Sequence, residues 1–317
     1  MLATQPLIEG ESWNEAALRA IERTARENGW RWRHDEPLER HTSMGVGGPC
    51  PIMLWPRHRA DVRSMVAWMG SRRLPWHVLG GGSNLLVADK GVDEPVINMT
   101  SGADQMSLDS NVLRVSASLP TARALRYSVA QGLDGLVWSA GLPGTIGGAA
   151  SGNAGCWGGD MQSCTADIDV VDSCGLAHRI ESADLVWGYR NLNMPGIPAP
   201  WTIIAVGVQV EQGDATQLAE RYDDLQRRKR ERQPVGARNS GCIFRNPQHG
   251  EGAGQLIDAA GCKGLRVGNA AVSDHHANFI VNLGGARAHD IEELVDRLVK
   301  RVHAHSGTLL EPEIRRW

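Results

Sequence analysis

Glycine is the feature of this sequence that most restricts how the chain can fold. The chain holds 37 glycines among 317 residues, about 12% where ~7% is usual. They gather in tight groups beside apolar runs, most clearly at Gly80–Gly82 and at 141–155, and do not spread along a linker. Clustered glycine marks backbone that must turn sharply or approach a ligand closely. The sequence therefore predicts a fold in which bare backbone lines a binding site.

The composition argues against several classes of partner. A formal net charge of −3 gives no general reason to expect nucleic acid or an anionic membrane surface as partner. No apolar run approaches the length needed to span a bilayer. Met1 to Trp13 lack a basic stretch followed by an apolar segment, so we expect no secretory signal and a cytoplasmic protein.

The cysteine and histidine patterns predict no metal. None of the six cysteines forms a Cys-x-x-Cys pair, which argues against zinc and iron–sulfur sites. His275 and His276 are adjacent, and adjacent side chains on a strand point to opposite faces. The one basic cluster, 227–232, lies at the end of an apparent helix. It is either a solvated helix face or a rim that attracts a phosphorylated substrate.

Hydrophobic periodicity predicts helices and strands in a mixed order. The predicted helices are 13–28, 59–69, 121–131, 214–232, 255–260 and one that starts at Asp290, with Asp290 and Glu293 as a capping box, and ends at Gly307. Two of these helices have an apolar face: Val62, Met65, Val66 and Met69 in 59–69, and Ile291, Leu294, Val295, Leu298 and Val302 in the last. The predicted strands are 51–55, 76–79, 96–99, 112–118, 167–172, 177–181, 202–211, 242–244 and 278–283. Because helices and strands do not alternate regularly, we expect an α+β fold rather than a doubly wound sheet. A domain boundary is predicted near Gly213.

Two segments have the composition of a phosphate-binding backbone, although neither Gly-x-Gly-x-x-Gly nor a Walker A loop occurs. In the first segment, Leu79 to Val87, a strand leads into consecutive glycines, whose N–H groups can point at one anion. A plain tight turn is the alternative. In the second segment, Gly141 to Gly155, small residues dominate. Such a segment is either a close-packed loop or the wall of a groove for a large flat ligand. Together they favour a dinucleotide held by backbone. The predicted contacts are Gly80, Gly81, Gly82, Ser83, Asn84, Leu85, Gly141, Gly144, Thr145, Gly147, Gly148, Asn153 and Gly155.

A series of short motifs runs in order through nearly the whole chain. They are His41-Thr42-Ser43-Met44-Gly45-Val46-Gly47-Gly48, Gly80 to Leu86, Gly141 to Gly148 with Asn153-Ala154-Gly155, Gly188-Tyr189-Arg190, Gln233-Pro234, Ser240 to Pro247, Val272 to Phe279 and Glu311-Pro312-Glu313-Ile314-Arg315. Together they closely resemble the UDP-N-acetylenolpyruvoylglucosamine reductase family. The glycine motif near residue 80 recurs in other flavoenzymes of the vanillyl-alcohol-oxidase-type fold, whereas the C-terminal motifs are much more specific to this reductase.

The resemblance implies a three-part architecture. An FAD-binding fold of the vanillyl-alcohol-oxidase/PCMH type would occupy two lobes, 1–100 and 101–213. A C-terminal α+β substrate-binding domain would follow at 214–317. The short stretch between Arg190 and Trp201 resembles the shorter class of the family, which lacks an inserted substrate-covering loop.

The same resemblance implies an activity in peptidoglycan precursor synthesis, and hence in cell-wall biogenesis, cell shape and cell division. The chain would reduce UDP-N-acetylglucosamine enolpyruvate to UDP-N-acetylmuramate, with tightly bound, non-covalent FAD and with NADPH as co-substrate. Hydride passes from NADPH through the flavin to the double bond, and a protein acid protonates the resulting enolate. No nucleic acid, membrane or obligate protein partner is expected.

Three catalytic residues follow from the motif positions: Arg190, Cys242 and Glu313. The planar guanidinium of Arg190 suits the substrate carboxylate; the alternative is a surface salt bridge with no role in catalysis. Glu313 would act as a protonated donor or orient Arg190. The family normally has serine at the position of Cys242, and a thiol, with a pKa near ~8.5, is a better acid than an alcohol. We expect Cys242 to protonate the enolate; a shift of that role to Ser240, or a paralogue with altered chemistry, are the alternatives.

The remaining motif positions imply substrate contacts. Tyr189 would lie near the substrate or the nicotinamide, or pack within the protein. The family often has serine soon after the tyrosine–arginine pair, where this chain has Asn191-Leu192. Candidates for the substrate diphosphate, each of which could instead be solvated, are Arg232, Arg245, Asn246 and Lys263.

Two other functional classes remain possible from the sequence. One is another flavin oxidoreductase of the same fold, such as an oxidase of alcohols or sugars, which would turn over with oxygen and without NADPH. The other is a catalytically inactive homologue that binds a UDP-sugar or flavin as a regulator.

Overall fold

The computed structural model describes residues 13–101 and 105–317, so nearly all of the stretch searched for a secretory signal lies outside the described residues. The helices are α1 (Glu15–Glu27), α2 (Arg59–Gly70), α3 (Thr121–Ala130), α4 (Ile146–Ser151), α5 (Met161–Cys164), α6 (Ala215–Arg232), α7 (Ala253–Ala259) and α8 (Ala288–Ser306). None of these helices is both long and apolar enough to cross a membrane.

Twenty short strands complete the described chain. They are β1 (Arg31–Pro37), β2 (Pro49–Trp55), β3 (His77–Leu79), β4 (Leu85–Leu86), β5 (Val96–Asn98), β6 (Met106–Asp109), β7 (Val112–Ser116), β8 (Leu133–Asp134), β9 (Gly155–Cys156), β10 (Gly159–Asp160), β11 (Thr165–Val171), β12 (Ala177–Glu181), β13 (Val186–Gly188), β14 (Asn191–Asn193), β15 (Thr202–Gln209), β16 (Glu211–Gln212), β17 (Arg266–Val267), β18 (Ala270–Val272), β19 (Ile280–Asn282) and β20 (Arg315–Arg316). The mixed order confirms the α+β class.

The chain divides into two compact units. The first comprises 1–35, 51–81 and 93–226, and the second comprises 36–50, 82–92 and 227–317. The second unit thus takes in two N-terminal segments, and the last boundary falls inside α6. The division into lobes at 100 and 213 stays a prediction.

The first unit contains a four-stranded sheet and a five-stranded sheet. The four-stranded sheet has the order β1-β2-β5-β3, with β5 parallel to β2 and β3. The α2 face that the sequence predicts is buried at i, i+3, i+4 and i+7, through Val62, Met65, Val66 and Met69. The five-stranded sheet has the order β12-β11-β15-β7-β6. Its middle strand, β15, is buried along seven of its eight residues, which explains its nearly continuous apolar sequence.

The second unit is built on a three-stranded sheet, β17-β18-β19, and on two helices. The predicted stripe on α8 is confirmed, because Ile291, Leu294, Val295, Leu298 and Val302 are at most 1% exposed. Gly307 ends α8 in the left-handed conformation, as predicted. The second unit also pairs β20 in parallel with β4.

The predicted start of α8 is wrong by two residues. The helix begins at Ala288, and Asp290 is its third residue; the Asp290 carboxylate accepts a hydrogen bond from the Arg287 N–H at 3.0 Å. Asp89 accepts hydrogen bonds from the N–H groups of Ala288 and His289 at 2.8 and 3.1 Å. Asp89 and Ala288 are 199 residues apart in sequence, so local pattern does not reveal this cap.

The predicted strand at 242–244 is also wrong. Cys242 pairs with Phe279 and Phe244 pairs with Pro312, each as a single bridge. The segment therefore changes partners within three residues, and no regular ladder forms. The sequence also missed β1, whose polar residues and irregular burial lack the alternation that marks a half-buried strand.

The turn between β11 and β12 depends on Asp172, which is 1% exposed. Its Oδ1 accepts hydrogen bonds from the N–H groups of Cys174 and Leu176 at 2.8 and 2.9 Å, and its Oδ2 lies 2.7 Å from His178 Nε2. Burial alone would raise the pKa of Asp172, but the hydrogen bonds from His178 and from the backbone hold that pKa below its ordinary value.

The Asp172→Asn variant should therefore lose about 1–2 kcal/mol of unfolding free energy at pH 7, because the amide replaces the carboxylate that these donors bind. A lowered folded pKa means that the carboxylate stabilises the fold above about pH 3.9, the ordinary value for Asp. That stabilisation disappears as pH falls through the folded pKa. Urea unfolding from pH 7 to 3 should show the difference between wild type and variant shrinking below pH 4. Asp184→Asn, an exposed aspartate of the same unit, should show little difference at any pH.

Candidate functional site

The two glycine segments of the first unit lie against each other. A Cβ added to Gly81 would stand 2.6 Å from Gly144 Cα, and one added to Gly80 would stand 2.7 Å from Thr145 Oγ1. Thr145 caps α4, where its Oγ1 accepts a hydrogen bond from the Gly148 N–H at 3.3 Å. Because the backbones are in contact, these positions exclude side chains. Segments that the sequence singled out separately thus form one surface.

The second glycine segment also contacts β7 and its continuation. Gly147 donates a hydrogen bond to the Ala117 carbonyl at 3.0 Å, and a Cβ on Gly147 would stand 2.6 Å from Ala117 Cβ. Gly141 and Gly144 adopt φ values of 77° and 96°, in the region that favours glycine. Further along, a Cβ on Gly155 would stand 2.9 Å from the Gly159 carbonyl oxygen.

A cavity of about 290 Å³ opens beside this backbone in the first unit. Ser116 and Ser118 line it on either side of Ala117 in sequence, and Arg59 contributes a cation from the first turn of α2. Its apolar lining comes from Pro56, Ala60, Val62, Met99 and Ile204. The sequence analysis missed this cavity. The run of small residues after β7 was the one sequence feature that pointed to the cavity. No pattern in the sequence distinguished Arg59 from other helical arginines.

These features fit a dinucleotide. A diphosphate requires N–H groups that no side chain covers, and the close approach of the two glycine segments admits no side chain at Gly80 or Gly81. A flat ring requires a concave space with apolar walls and a few polar groups, and the neighbouring cavity has both kinds of lining residue. The described residues of the first unit therefore fit FAD.

Arg190 lies at the tip of the β13–β14 hairpin. Gly188 pairs with Asn191, so Tyr189 and Arg190 form a two-residue turn, in which Arg190 has a φ of 55°. Its NH1 donates to the Asn153 carbonyl oxygen at 3.3 Å, while Asn153 Nδ2 donates to the Gly188 carbonyl at 3.2 Å. Asn153, which the resemblance implied as an FAD contact, thus binds both the hairpin and its arginine.

Tyr189 is 56% exposed, and the Arg190 guanidinium carbon lies 5.2 Å from its ring centroid. This distance allows a cation–π contact. The tyrosine and the arginine therefore present a joint surface at the hairpin tip rather than a buried packing contact.

The second unit supplies the continuation of the first glycine motif. Gly82 has a φ of 59°, and a Cβ there would stand 2.0 Å from the His41 carbonyl oxygen. The Ser43 N–H donates to the Gly82 carbonyl at 3.0 Å. Leu85 pairs with Arg315, and the Arg315 N–H donates to the Asn84 carbonyl at 3.2 Å. Two distant motifs therefore support the residues that follow the glycines.

Cys242 and Glu313 lie on neighbouring backbone segments of the second unit. The Glu313 N–H donates to the carbonyl of Ile243 at 2.7 Å, one residue beyond Cys242. Asn84 Nδ2 lies 3.5 Å from the Glu313 carbonyl oxygen. Glu313 is 8% exposed and Cys242 is half-buried. The structure thus brings together two predicted catalytic residues and one predicted FAD contact.

Ser240, the alternative proton donor, is 4% exposed. Its hydroxyl is enclosed and has no hydrogen-bond partner among the described residues. Gly241, with a φ of 79°, separates it from Cys242. Of the two side chains, that of Cys242 is the more accessible.

Three of the four predicted diphosphate contacts have protein partners within the second unit. Asn246 Oδ1 accepts a hydrogen bond from the Ala253 N–H at the start of α7, and Lys263 Nζ pairs with Asp258 near its end at 2.6 Å. Arg245 NH1 lies 3.8 Å from a Glu311 carboxylate oxygen. Arg232, the last residue of α6, is exposed.

The histidine pair contacts different partners. His275 Nε2 lies 2.6 Å from the Glu231 carbonyl oxygen, whereas His276 Nδ1 accepts a hydrogen bond from the Asn278 N–H at 3.2 Å. Burial lowers the pKa of His276. No group of three or more metal-binding side chains occurs among residues 13–101 and 105–317.

The fold and the bare-backbone surface define an FAD-binding oxidoreductase with an added C-terminal domain. The model of an FAD binding domain matches residues 51–181, and the model described as UDP-N-acetylenolpyruvoylglucosamine reductase, C-terminal domain, matches residues 233–317. The chain belongs to the UDP-N-acetylenolpyruvoylglucosamine reductase family. These matches confirm both the resemblance stated above and the predicted FAD-binding fold.

Relatives match along most of their length. The reductase of Heliobacterium modesticaldum is 36% identical over 284 residues, covering 90% of each chain. That of Desulfosudis oleivorans is 38% identical over 293 residues, covering 90% of this chain and 94% of the relative. The crystal structure of the Thermus caldophilus reductase is 33% identical, with a TM-score of 0.77, and the match covers 91% of this chain and 99% of that one.

The contact between the glycine segments can be tested with Gly81→Ala. We expect this variant to lose about 1–3 kcal/mol of unfolding free energy, because a Cβ forces the segments apart. It should also retain less FAD on purification. Gly213→Ala is the matched control, since its Cβ would meet Leu218 and the Gly132 carbonyl oxygen at ordinary distances, the shortest of them 3.5 Å. Equal stability and equal flavin content in the two variants would contradict the contact.

Proposed function

We propose that this chain reduces UDP-N-acetylglucosamine enolpyruvate to UDP-N-acetylmuramate in the cytoplasm, as a step of peptidoglycan precursor synthesis. The observation that carries the proposal is the pairing of the Cys242 and Glu313 segments within the domain that matches the reductase-specific model. When bound, FAD supplies the transfer of hydride from NADPH to the enolpyruvyl double bond.

The protein must deliver a proton to the carbon beside the substrate carboxylate. A thiol titrates near ~8.5, far below an alcohol, and so transfers a proton more readily at neutral pH. The accessible Cys242 and the enclosed hydroxyl of Ser240 support the cysteine as donor. Glu313, held on the neighbouring segment, is proposed to share this site as a donor or orienting group.

Arg190 is proposed to bind the substrate carboxylate, where negative charge develops during reduction. Its guanidinium can donate two parallel hydrogen bonds to a carboxylate. The bond to the Asn153 carbonyl holds the side chain in advance, so less reorganisation is needed when substrate binds. Tyr189 beside it is proposed to contact the substrate or the nicotinamide.

The diphosphate of the UDP group needs donors from the second unit. We propose the exposed Arg232 together with Arg245, Asn246 and Lys263 for this role. Lys263 and Arg245 already face carboxylates, so binding would require them to exchange those partners for phosphate.

The activity is tested by following the flavin spectrum. The purified protein should show oxidised-flavin absorbance, which anaerobic NADPH should bleach and UDP-N-acetylglucosamine enolpyruvate should then restore. Recovery of the absorbance with oxygen but not with the enolpyruvyl substrate would favour an oxidase. A colourless protein that binds UDP-sugars would favour a non-catalytic homologue.

The proton donor is tested by variants at Cys242. Cys242→Ser should keep substantial turnover, because a hydroxyl can still donate a proton. Cys242→Ala should slow reoxidation of the reduced flavin by substrate by about 10²-fold or more, while the bleaching step with NADPH keeps its rate. Cys174→Ala, at an exposed cysteine, controls for general loss of a thiol. Normal substrate turnover in Cys242→Ala would remove the cysteine from the mechanism.

A further inference from the structure

The turn that joins β18 to β19 carries a buried asparagine whose side chain binds a distant piece of backbone. Asn278 is 3% exposed. Its Nδ2 donates a hydrogen bond to the Phe244 carbonyl at 2.8 Å, and its Oδ1 accepts one from the Phe244 N–H at 2.9 Å. Phe244 lies 34 residues earlier in the chain. One side-chain amide thus binds both backbone groups of a single residue, as a paired antiparallel strand would.

The backbone of Asn278 holds the preceding residue as well. The Ile243 N–H donates to the Asn278 carbonyl at 2.9 Å. Cys242 itself pairs with Phe279 only as a single bridge, and no ladder continues from it. Three hydrogen bonds to Asn278 therefore hold the two residues that follow Cys242. Because the segment 242–244 has no ladder, its position depends on such individual bonds.

The same segment also holds Glu313. The Ile243 carbonyl accepts the Glu313 N–H at 2.7 Å, while the Ile243 N–H is bound to Asn278. Ile243 thus links Asn278 to Glu313 in the hydrogen-bond network of the second unit. Asn278 has no titratable group, and both ends of its amide are bound to Phe244. We therefore expect it to act through the segment rather than on the substrate.

Asn278 is itself fixed within its own turn. Its N–H donates to His276 Nδ1 at 3.2 Å. Burial lowers the pKa of His276, so its ring is neutral near pH 7 and keeps the lone pair that accepts this bond. Ser273 Oγ accepts hydrogen bonds from the N–H groups of His275 and His276 at 3.2 and 3.4 Å. The turn is therefore a rigid support for the asparagine.

We propose that Asn278 is a positioning residue, which holds the backbone from which Cys242 delivers its proton. The inference rests on Cys242 as the proton donor of the proposed function. A proton donor must lie within hydrogen-bond reach of its acceptor, so a small displacement of this segment lowers the rate. Asn278 acts through Ile243 and Phe244, and its removal leaves the thiol chemically intact.

Alkylation of the purified holoprotein with iodoacetamide, followed peptide by peptide by mass spectrometry, tests whether Asn278 holds this segment. Asn278→Ala should speed the alkylation of the half-buried Cys242 about fivefold or more, because the segment opens more often. Cys262, which is 0% exposed in the core of the same unit, should react as slowly as in wild type. Its reactivity separates local opening of the segment from unfolding of the unit.

Asn282→Ala is the matched control, because Asn282 is another buried asparagine of the same unit with a hydrogen-bonded amide. Its Nδ2 donates to the Met44 carbonyl at 2.9 Å, and its Oδ1 accepts hydrogen bonds from the Gly284 and Ala286 N–H groups at 2.8 and 3.1 Å. Its amide thus holds other parts of the unit. The control should leave the alkylation rate of Cys242 as in wild type.

The flavin spectrum tests the role in the reaction. Asn278→Ala should slow reoxidation of the reduced flavin by UDP-N-acetylglucosamine enolpyruvate about tenfold or more, while bleaching by NADPH keeps its rate. In a Cys242→Ala background, the same substitution should change reoxidation by less than about twofold, because the donor through which Asn278 acts is absent. A purely structural defect would slow reoxidation by the same factor in both backgrounds.

The outcomes separate this inference from the proposed function. Unchanged alkylation of Cys242 in Asn278→Ala would overturn the inference, as would an equal increase at Cys262 or in Asn282→Ala. Unchanged reoxidation in Asn278→Ala, or equal slowing with and without Cys242, would also overturn it. Normal reoxidation in Cys242→Ala would instead remove the proposed donor, and the kinetic role of Asn278 with it.

A second variant covers poor folding of Asn278→Ala. Asn278→Asp has the same shape and keeps the acceptor for the Phe244 N–H, but it loses the donor to the Phe244 carbonyl. It should show the same selective increase in alkylation and the same selective loss of reoxidation, each by a smaller factor. Wild-type values for both rates in Asn278→Asp would contradict the inference.

Discussion

The close approach of two glycine-bearing backbones is the constraint on which the first unit depends. Gly80 and Gly81 come within 2.6–2.7 Å, measured from an added Cβ, of Gly144 and Thr145. At that separation no side chain fits at Gly80 or Gly81, whose neighbours are the Thr145 hydroxyl and the Gly144 backbone. A surface of peptide groups can bind an anion by N–H donation without a resident cation. If the diphosphate binds at these glycines as proposed, the net charge of −3 on the chain does not oppose it, because the donors are backbone N–H groups.

Contacts to backbone atoms fix the segments that carry the proposed catalytic side chains. Asn153 fixes the hairpin that carries Arg190 through hydrogen bonds in both directions. In the second unit, the Glu313 N–H and the Ile243 carbonyl fix the two segments that carry the acid and the thiol. At Arg190 the hairpin turn also imposes an unusual backbone conformation, with a φ of 55°.

The sequence predicted the elements whose signals are local. The apolar stripes of α2 and α8 follow from helical period alone, and both are confirmed. The Asp89 cap, the single bridges of Cys242 and Phe244, and the contact between the glycine segments link residues far apart in sequence. Motif resemblance supplied the candidate residues, and the structure added which of them are neighbours. Arg59 was missed because one arginine in a helical pattern carries no sign of the cavity it lines.

The discontinuous second unit has a consequence for how the chain is made. Asp89 leaves the ribosome long before α8, whose first N–H groups it binds. The intervening residues, 93–226, belong to the first unit. The first unit can therefore fold before segments 36–50 and 82–92 meet residues 227–317 of the second unit. Met44 and Leu86 belong to the apolar cluster that residues of 227–317 complete, so most of their cover is missing during that interval. Slow translation across 93–226 would lengthen their exposure and increase the demand for chaperone binding.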